Sequence, residues 1–140
     1  MNVGKIGLAT LVGFIVMFLS GWLIWGFGIE PLHKKYAIDY PGLILEMPRL
    51  ELIAISTVLT ALLWSIIYNR WAGIKTFGTG AKAGILIAVL SGLSIDLMTH
   101  SSMNLSNNLA LVMGSNVAAN LVWGALSGGA IGWMLGRGGD

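Results

Sequence analysis

Residues 108–136 read NLALVMGSNVAANLVWGALSGGAIGWMLG, a run without a single charged side chain. A helix crossing a hydrocarbon core of roughly 30 Å needs about 20 apolar residues, and this run exceeds that. Within it Gly124, Gly128, Gly132 and Gly136 recur at every fourth position and share one helical face, preceded on that face by Asn116 and Asn120. In a soluble helix each glycine costs up to about 1 kcal/mol relative to alanine. In a membrane helix small residues spaced four apart let backbones approach closely. The stretch therefore predicts a transmembrane helix with a packing face.

Three further runs fit the same description. Thr79 to His100 carries Gly80, Gly84, Ala88 and Gly92 on one face. Leu50 to Tyr68 carries Thr57, Ala61 and Ser65, and Ile6 to Gly28 carries Gly13 and Gly21 at twice that spacing. Four spans consume about 80 residues of the 140 present. The composition agrees: 56% of the chain is hydrophobic and 10% charged, against about 25% charged in a soluble domain. Lys5 ahead of the first run suggests a signal peptide, but the run is too long for one and no small-x-small cleavage pattern closes it. The expected fold is all-α: one membrane domain over residues 1–140, with four transmembrane helices at about 6–28, 50–68, 79–100 and 108–136. Short second and third connections predict a compact antiparallel bundle.

The first connection, residues 29–49, is the long one. Pro31, Pro41 and Pro48 argue against a continuous helix there, and Leu43, Ile44, Leu45 and Met47 form an apolar cluster beside Tyr36 and Tyr40. Such a segment is expected to lie along the outer interface or fold back over the bundle. Lys5, Arg70, Lys75, Lys82 and Arg137 fall on one side, and Lys34, Lys35 and Arg49 on the other. The positive-inside rule then makes both termini cytoplasmic. The acids segregate oppositely: Glu30, Asp39, Glu46, Glu51 and Asp96 are on the outer side and Asp140 on the inner. Trp22 and Trp25 at the outer end, with Trp71 and Trp133 toward the inner, read as an aromatic belt.

Several classes are excluded. A net charge of +2 with no basic stripe does not suit a nucleic acid. The absence of Cys removes disulfide scaffolds, thiolate metal sites and cysteine catalysis. No H-E-x-x-H, G-x-S-x-G or Walker-type loop occurs, so neither an enzyme nor a cofactor is expected. The inner loop from Ala72 to Gly80, flanked by Lys75 and Lys82, reads as a solvated turn with interfacial lysines, or as a cradle for a lipid phosphate.

An acid inside a span is a functional candidate by default. Asp96 continues the glycine stripe of the third run, and His100 lies one turn beyond it. With Asn104, Asn116 and Asn120 they form a candidate polar vestibule opening outward, with His33, Glu30 and Glu51 at the same level. The cluster reads as structural polar glue, as an ion, proton or small-solute pathway, or as a divalent metal site. His33, His100 and a carboxylate are suitable metal donors, but they lack a diagnostic spacing, and no metal is expected. Gly80, Gly84, Gly92, Gly124, Gly128 and Gly132 are the expected packing residues, within one protomer or between copies.

Over Trp71 to Arg137 the chain resembles a group of uncharacterised small bacterial membrane proteins with four predicted helices. The resemblance rests on Trp71-Ala72-Gly73-Ile74-Lys75-Thr76-Phe77-Gly78-Thr79-Gly80-Ala81-Lys82-Ala83-Gly84 and Gly128-Gly129-Ala130-Ile131-Gly132-Trp133-Met134-Leu135-Gly136, with the region of Asp96 and Asn104 between them. It implies a bacterial cytoplasmic membrane and carries no activity with it. The expected function is thus a non-enzymatic packing, assembly or accessory component. Its partners are the lipid bilayer and either a second copy or another membrane protein. The alternative is a small channel or transporter with a polar outer vestibule around Asp96.

Overall fold

Every regular element in the computed structural model, which describes residues 2–138, is helical. Asp140, counted above among the inner charges, lies outside the described residues. In chain order the elements are α1 (Val3–Gly21), a π-helical segment (Trp22–Ile29), α2 (Glu30–Tyr36), α3 (Leu50–Ile66), a second π-helical segment (Ile67–Ala72), α4 (Phe77–Ser102) and α5 (Leu109–Gly136). Joined through their π segments, they make four helical runs long and apolar enough to cross a membrane: Val3–Tyr36, Leu50–Ala72, Phe77–Ser102 and Leu109–Gly136.

Local chemistry sets these ends. Asn2, Thr76 and Asn108 each accept a bond from a backbone N–H three residues on, at 3.2, 3.2 and 3.1 Å, which caps α1, α4 and α5. Gly73 stops the second run with φ of +61°, a left-handed turn that suits glycine. Its neighbour Ile74 donates back to the Tyr68 carbonyl at 2.9 Å.

The first helical run continues through Pro31, eight residues past the expected end at Gly28. Proline lacks an N–H and its ring crowds the carbonyl one turn back. The widened turn of Trp22–Ile29 comes just before it, with the Glu30 N–H reaching the Trp25 carbonyl, and a widened turn relieves that crowding. The second run likewise passes Tyr68 and ends at Ala72. The first connection therefore shrinks to residues 37–49. Ala37 bridges Ser106, Ile38 N–H donates to the Leu105 carbonyl at 3.0 Å, and Asn107 N–H donates to the Tyr36 carbonyl at 2.8 Å. Tyr40 adds its hydroxyl to the Asn104 carbonyl at 2.6 Å. Leu43, Ile44, Leu45 and Met47 remain exposed rather than folded over the helices.

The main helix contacts run in the order α3, α1, α5, α4. Although α3 and α4 are joined by a short turn, neither is the other's main neighbour. A Cβ placed on Gly80 would overlap the Gly128 carbonyl, one on Gly84 the Gly124 carbonyl, and one on Gly132 the Thr76 carbonyl. Contacting positions thus rise along α4 as they fall along α5. At Gly92 the seam widens to admit a side chain: a Cβ there would lie 2.5 Å from the Asn120 amide nitrogen. Across the other face of α5, Ile131 fills the notch at Gly13, which also lies against Ala61. The fully buried Tyr68 inserts its ring where the second run meets the seam and donates to the Gly80 carbonyl at 2.8 Å.

Candidate functional site

At the level where Gly92 gives way to Asn120, the helix faces become polar. Asp96 lies one turn beyond Gly92, and its Oδ2 accepts from the Asn116 amide at 2.9 Å. The Asn116 side-chain oxygen accepts from the Trp25 indole N–H at 3.3 Å. An indole nitrogen only donates, so Trp25 fixes which way the Asn116 amide faces and leaves its nitrogen for Asp96. Asn120 donates to the Asn116 carbonyl at 3.0 Å. Three segments are tied by these bonds: the π segment after α1, α4 and α5.

His100 is turned back on its own helix. Its Nδ1 lies 2.9 Å from the Asp96 carbonyl; a carbonyl accepts, so Nδ1 carries the proton. His33 reaches α5, with Nε2 at 3.0 Å from the Ser115 hydroxyl. That hydroxyl donates to the Val112 carbonyl at 2.8 Å, so His33 is the donor to Ser115. His33 is within electrostatic reach of both Asp96 and His100.

Of the residues expected in the vestibule, Asp96, Asn116 and Asn120 are brought together, with His100 bonded to the backbone of Asp96. Asn104 stands apart: exposed, it accepts from Tyr40 of the first connection through its backbone carbonyl. Glu30 pairs with Lys34 at 2.8 Å on the exposed surface of α2, and Glu51 is exposed in the first turn of α3. Among the described residues no three His, Asp or Glu side chains gather as metal ligands, so the His33–His100 metal reading loses its geometry. Ser101 donates to the Met98 carbonyl at 2.7 Å. Beside the cluster, a shallow depression of about 320 Å³ is lined by His100, Ser101, Asn104, Ser106 and Leu109 among others.

Trp25 corrects the belt reading. Trp22, Trp71 and Trp133 are exposed, whereas Trp25 is half-buried and stacks edge-on against Trp123 at 5.9 Å. Trp123 meets Trp64 edge-on at 5.6 Å, and Trp64 stacks on Tyr68 at 6.3 Å. Trp123 also donates to the Met17 carbonyl at 3.0 Å. Sequence reading missed this aromatic column, although a signal existed. The face through Gly13, Met17 and Gly21 arrives at Trp25 after one more turn. Ser115 was missed for want of any pattern. No family model, curated protein or solved structure matches this chain.

Proposed function

We propose that the chain is a four-span integral membrane protein of antiparallel helices, set in a bacterial cytoplasmic membrane with both termini cytoplasmic, and that its role is non-enzymatic. It acts as an assembly or accessory component whose glycine faces close its own bundle and whose outer faces meet lipid or a membrane partner. The exposed apolar side chains of α4, Leu86, Leu90, Ile95 and Met98 among them, support the lipid environment, since soluble monomers rarely expose so much apolar surface. The hydroxyls of Thr57, Thr60 and Ser91 each donate to the carbonyl one turn back, which keeps them satisfied without water.

The bonding of Asp96 carries the reading. Asp96 is linked through Asn116 to Trp25, which makes it a tie between helices. Reconstitution in liposomes tests this. Asp96→Asn keeps an acceptor for Asn116 and is expected to melt within about 1 kcal/mol of wild type. Asp96→Leu leaves the Asn116 amide unpaired and is expected to cost about 1–3 kcal/mol. Neither wild type nor variant should carry an ion or solute flux. A wild-type flux abolished in a well-folded Asp96→Asn protein would overturn the proposal in favour of the second reading, a small channel or transporter. That reading is supported by the electrostatic proximity of His33, His100 and Asp96 beside the outer depression.

A further inference from the structure

Two depressions adjoin where α4 turns into α5. One, of about 320 Å³, is lined by His100, Ser101, Ser102, Asn104 and Ser106 among others. The other, of about 500 Å³, is lined by Tyr40, Pro41, Leu43, Met103 and Leu105 among others. Met103, Asn104 and Leu105 line both, so one ligand can span a polar half and an apolar half. Among the described residues no Asp, Glu, Lys or Arg lines either half. The polar half has hydrogen-bonding capacity to spare. The Ser102 hydroxyl and the Asn104 side-chain amide have no partner among the described residues. Ser106 accepts from the Asn108 N–H at 3.1 Å and keeps its own proton to donate. The walls are fixed by the fold. Pro41 and Gly42 form a tight turn, closed by the Leu43 N–H on the Tyr40 carbonyl at 3.1 Å. Gly42 has φ of +80°, the left-handed conformation that a type II turn requires at that position. The Tyr40 hydroxyl, bonded to the Asn104 carbonyl at 2.6 Å, holds its ring beside the junction of the two halves.

We propose that this groove binds a lipid with an uncharged, hydroxyl-rich head, a glycosyl diacylglycerol, with the sugar in the polar half and an acyl chain along the apolar half. The inference rests on the membrane-spanning reading. A lining without fixed charge selects against a phosphate head, which would find no counter-charge there. Sugar hydroxyls both donate and accept, as do Ser102, Asn104 and Ser106, and the Tyr40 ring offers a flat surface to the C–H face of a sugar. Each methylene of the acyl chain buried against Leu43, Met103 and Leu105 strengthens binding roughly fourfold. Leu97 and Met98, exposed on α4, lie within one turn of His100, so the groove borders the apolar surface from which a lipid would enter. Walls already tied together lose little freedom on binding.

The test uses the full chain in a polyoxyethylene detergent, which carries no sugar, titrated with monoglucosyl dioleoylglycerol or with phosphatidylcholine bearing the same acyl chains. Retained lipids are counted by native mass spectrometry, and melting curves are followed in parallel. Wild type is expected to retain the glycolipid about tenfold more tightly. Ser102→Ala with Asn104→Ala, at exposed positions, is expected to lose roughly fivefold per side chain on the glycolipid, with the lipid-free melting temperature unchanged. Leu43→Gln, in the apolar half, should weaken glycolipid retention as well. Ser56→Ala, exposed on α3 and outside the groove, should keep the preference. Equal retention of the two lipids overturns the inference. So does a glycolipid preference that survives both the polar pair and Leu43→Gln, or stabilisation by glucose alone that matches the glycolipid's. Failure of the chain to insert into vesicles at all removes the membrane-spanning reading and this inference with it, whereas insertion without a sugar preference removes only the inference.

Discussion

Asn116 has two partners that leave its amide no freedom to flip, and the consequences can be measured one side chain at a time. Trp25→Phe keeps the ring against Trp123 but removes the donor to Asn116. It is expected to lower stability by about 1 kcal/mol, read as a lower melting temperature in detergent. Ser127 presents the converse case: its hydroxyl is buried with no hydrogen-bond partner among the described residues. Ser127→Ala removes that unmet group at nearly constant volume and should stabilise the protein by about 1 kcal/mol; a lower melting temperature would show that the hydroxyl is bonded after all. Gly73 holds a left-handed φ of +61° with open space around it, so Gly73→Ala should cost about 1–2 kcal/mol from backbone strain alone.

Among the elements, α4 and α5 were the most legible in the sequence. The four-residue spacing of Gly80, Gly84 and Ala88 and of Gly124, Gly128 and Gly132 states which faces are small. The caps Thr76 and Asn108 lie within three residues of the expected starts. The spacing did not reveal what each stripe meets, because a small face fits its own neighbour and a second copy equally well. Here the two stripes meet each other, down to Gly92, where the Asn120 amide takes the missing volume. Gly128→Leu should therefore abolish the native melting transition or lower it severely, since its Cβ would already overlap the Gly80 carbonyl. Gly7→Leu, with nothing within 4 Å of a Cβ, is the matched control and should stay within about 0.5 kcal/mol of wild type. Similar melting of the two would sink the seam argument. The π segments were not legible. Pro31 signals a break in any local reading, and only a widened upstream turn lets the helix pass it. The polar cluster was half legible: spacing marked Asp96 and the Asn pair, Trp25 lay on the face of Gly13 and Gly21, and Ser115 emerged only through tertiary contact.

Across the whole molecule, charge divides the two ends, and the division predicts a topology. The chain has no cysteine, so single thiols report cleanly. Ile44→Cys in the exposed outer loop should react with a membrane-impermeant maleimide on intact cells, and Gly78→Cys, in open space at the start of α4, only after permeabilisation; the reverse pattern would invert the proposed orientation. The order of contact, α3 to α1 to α5 to α4, also bears on how the molecule is made. Synthesis delivers α1 and α3 first, and they can pair at once. The notch at Gly13 must wait for Ile131 and the Trp25 indole for Asn116, and both of those partners are on α5. Until the ribosome has released that last helix, α1 keeps an open notch and Trp25 an unpaired donor. The quality-control machinery of the cell has that interval in which to recognise the chain as unfinished.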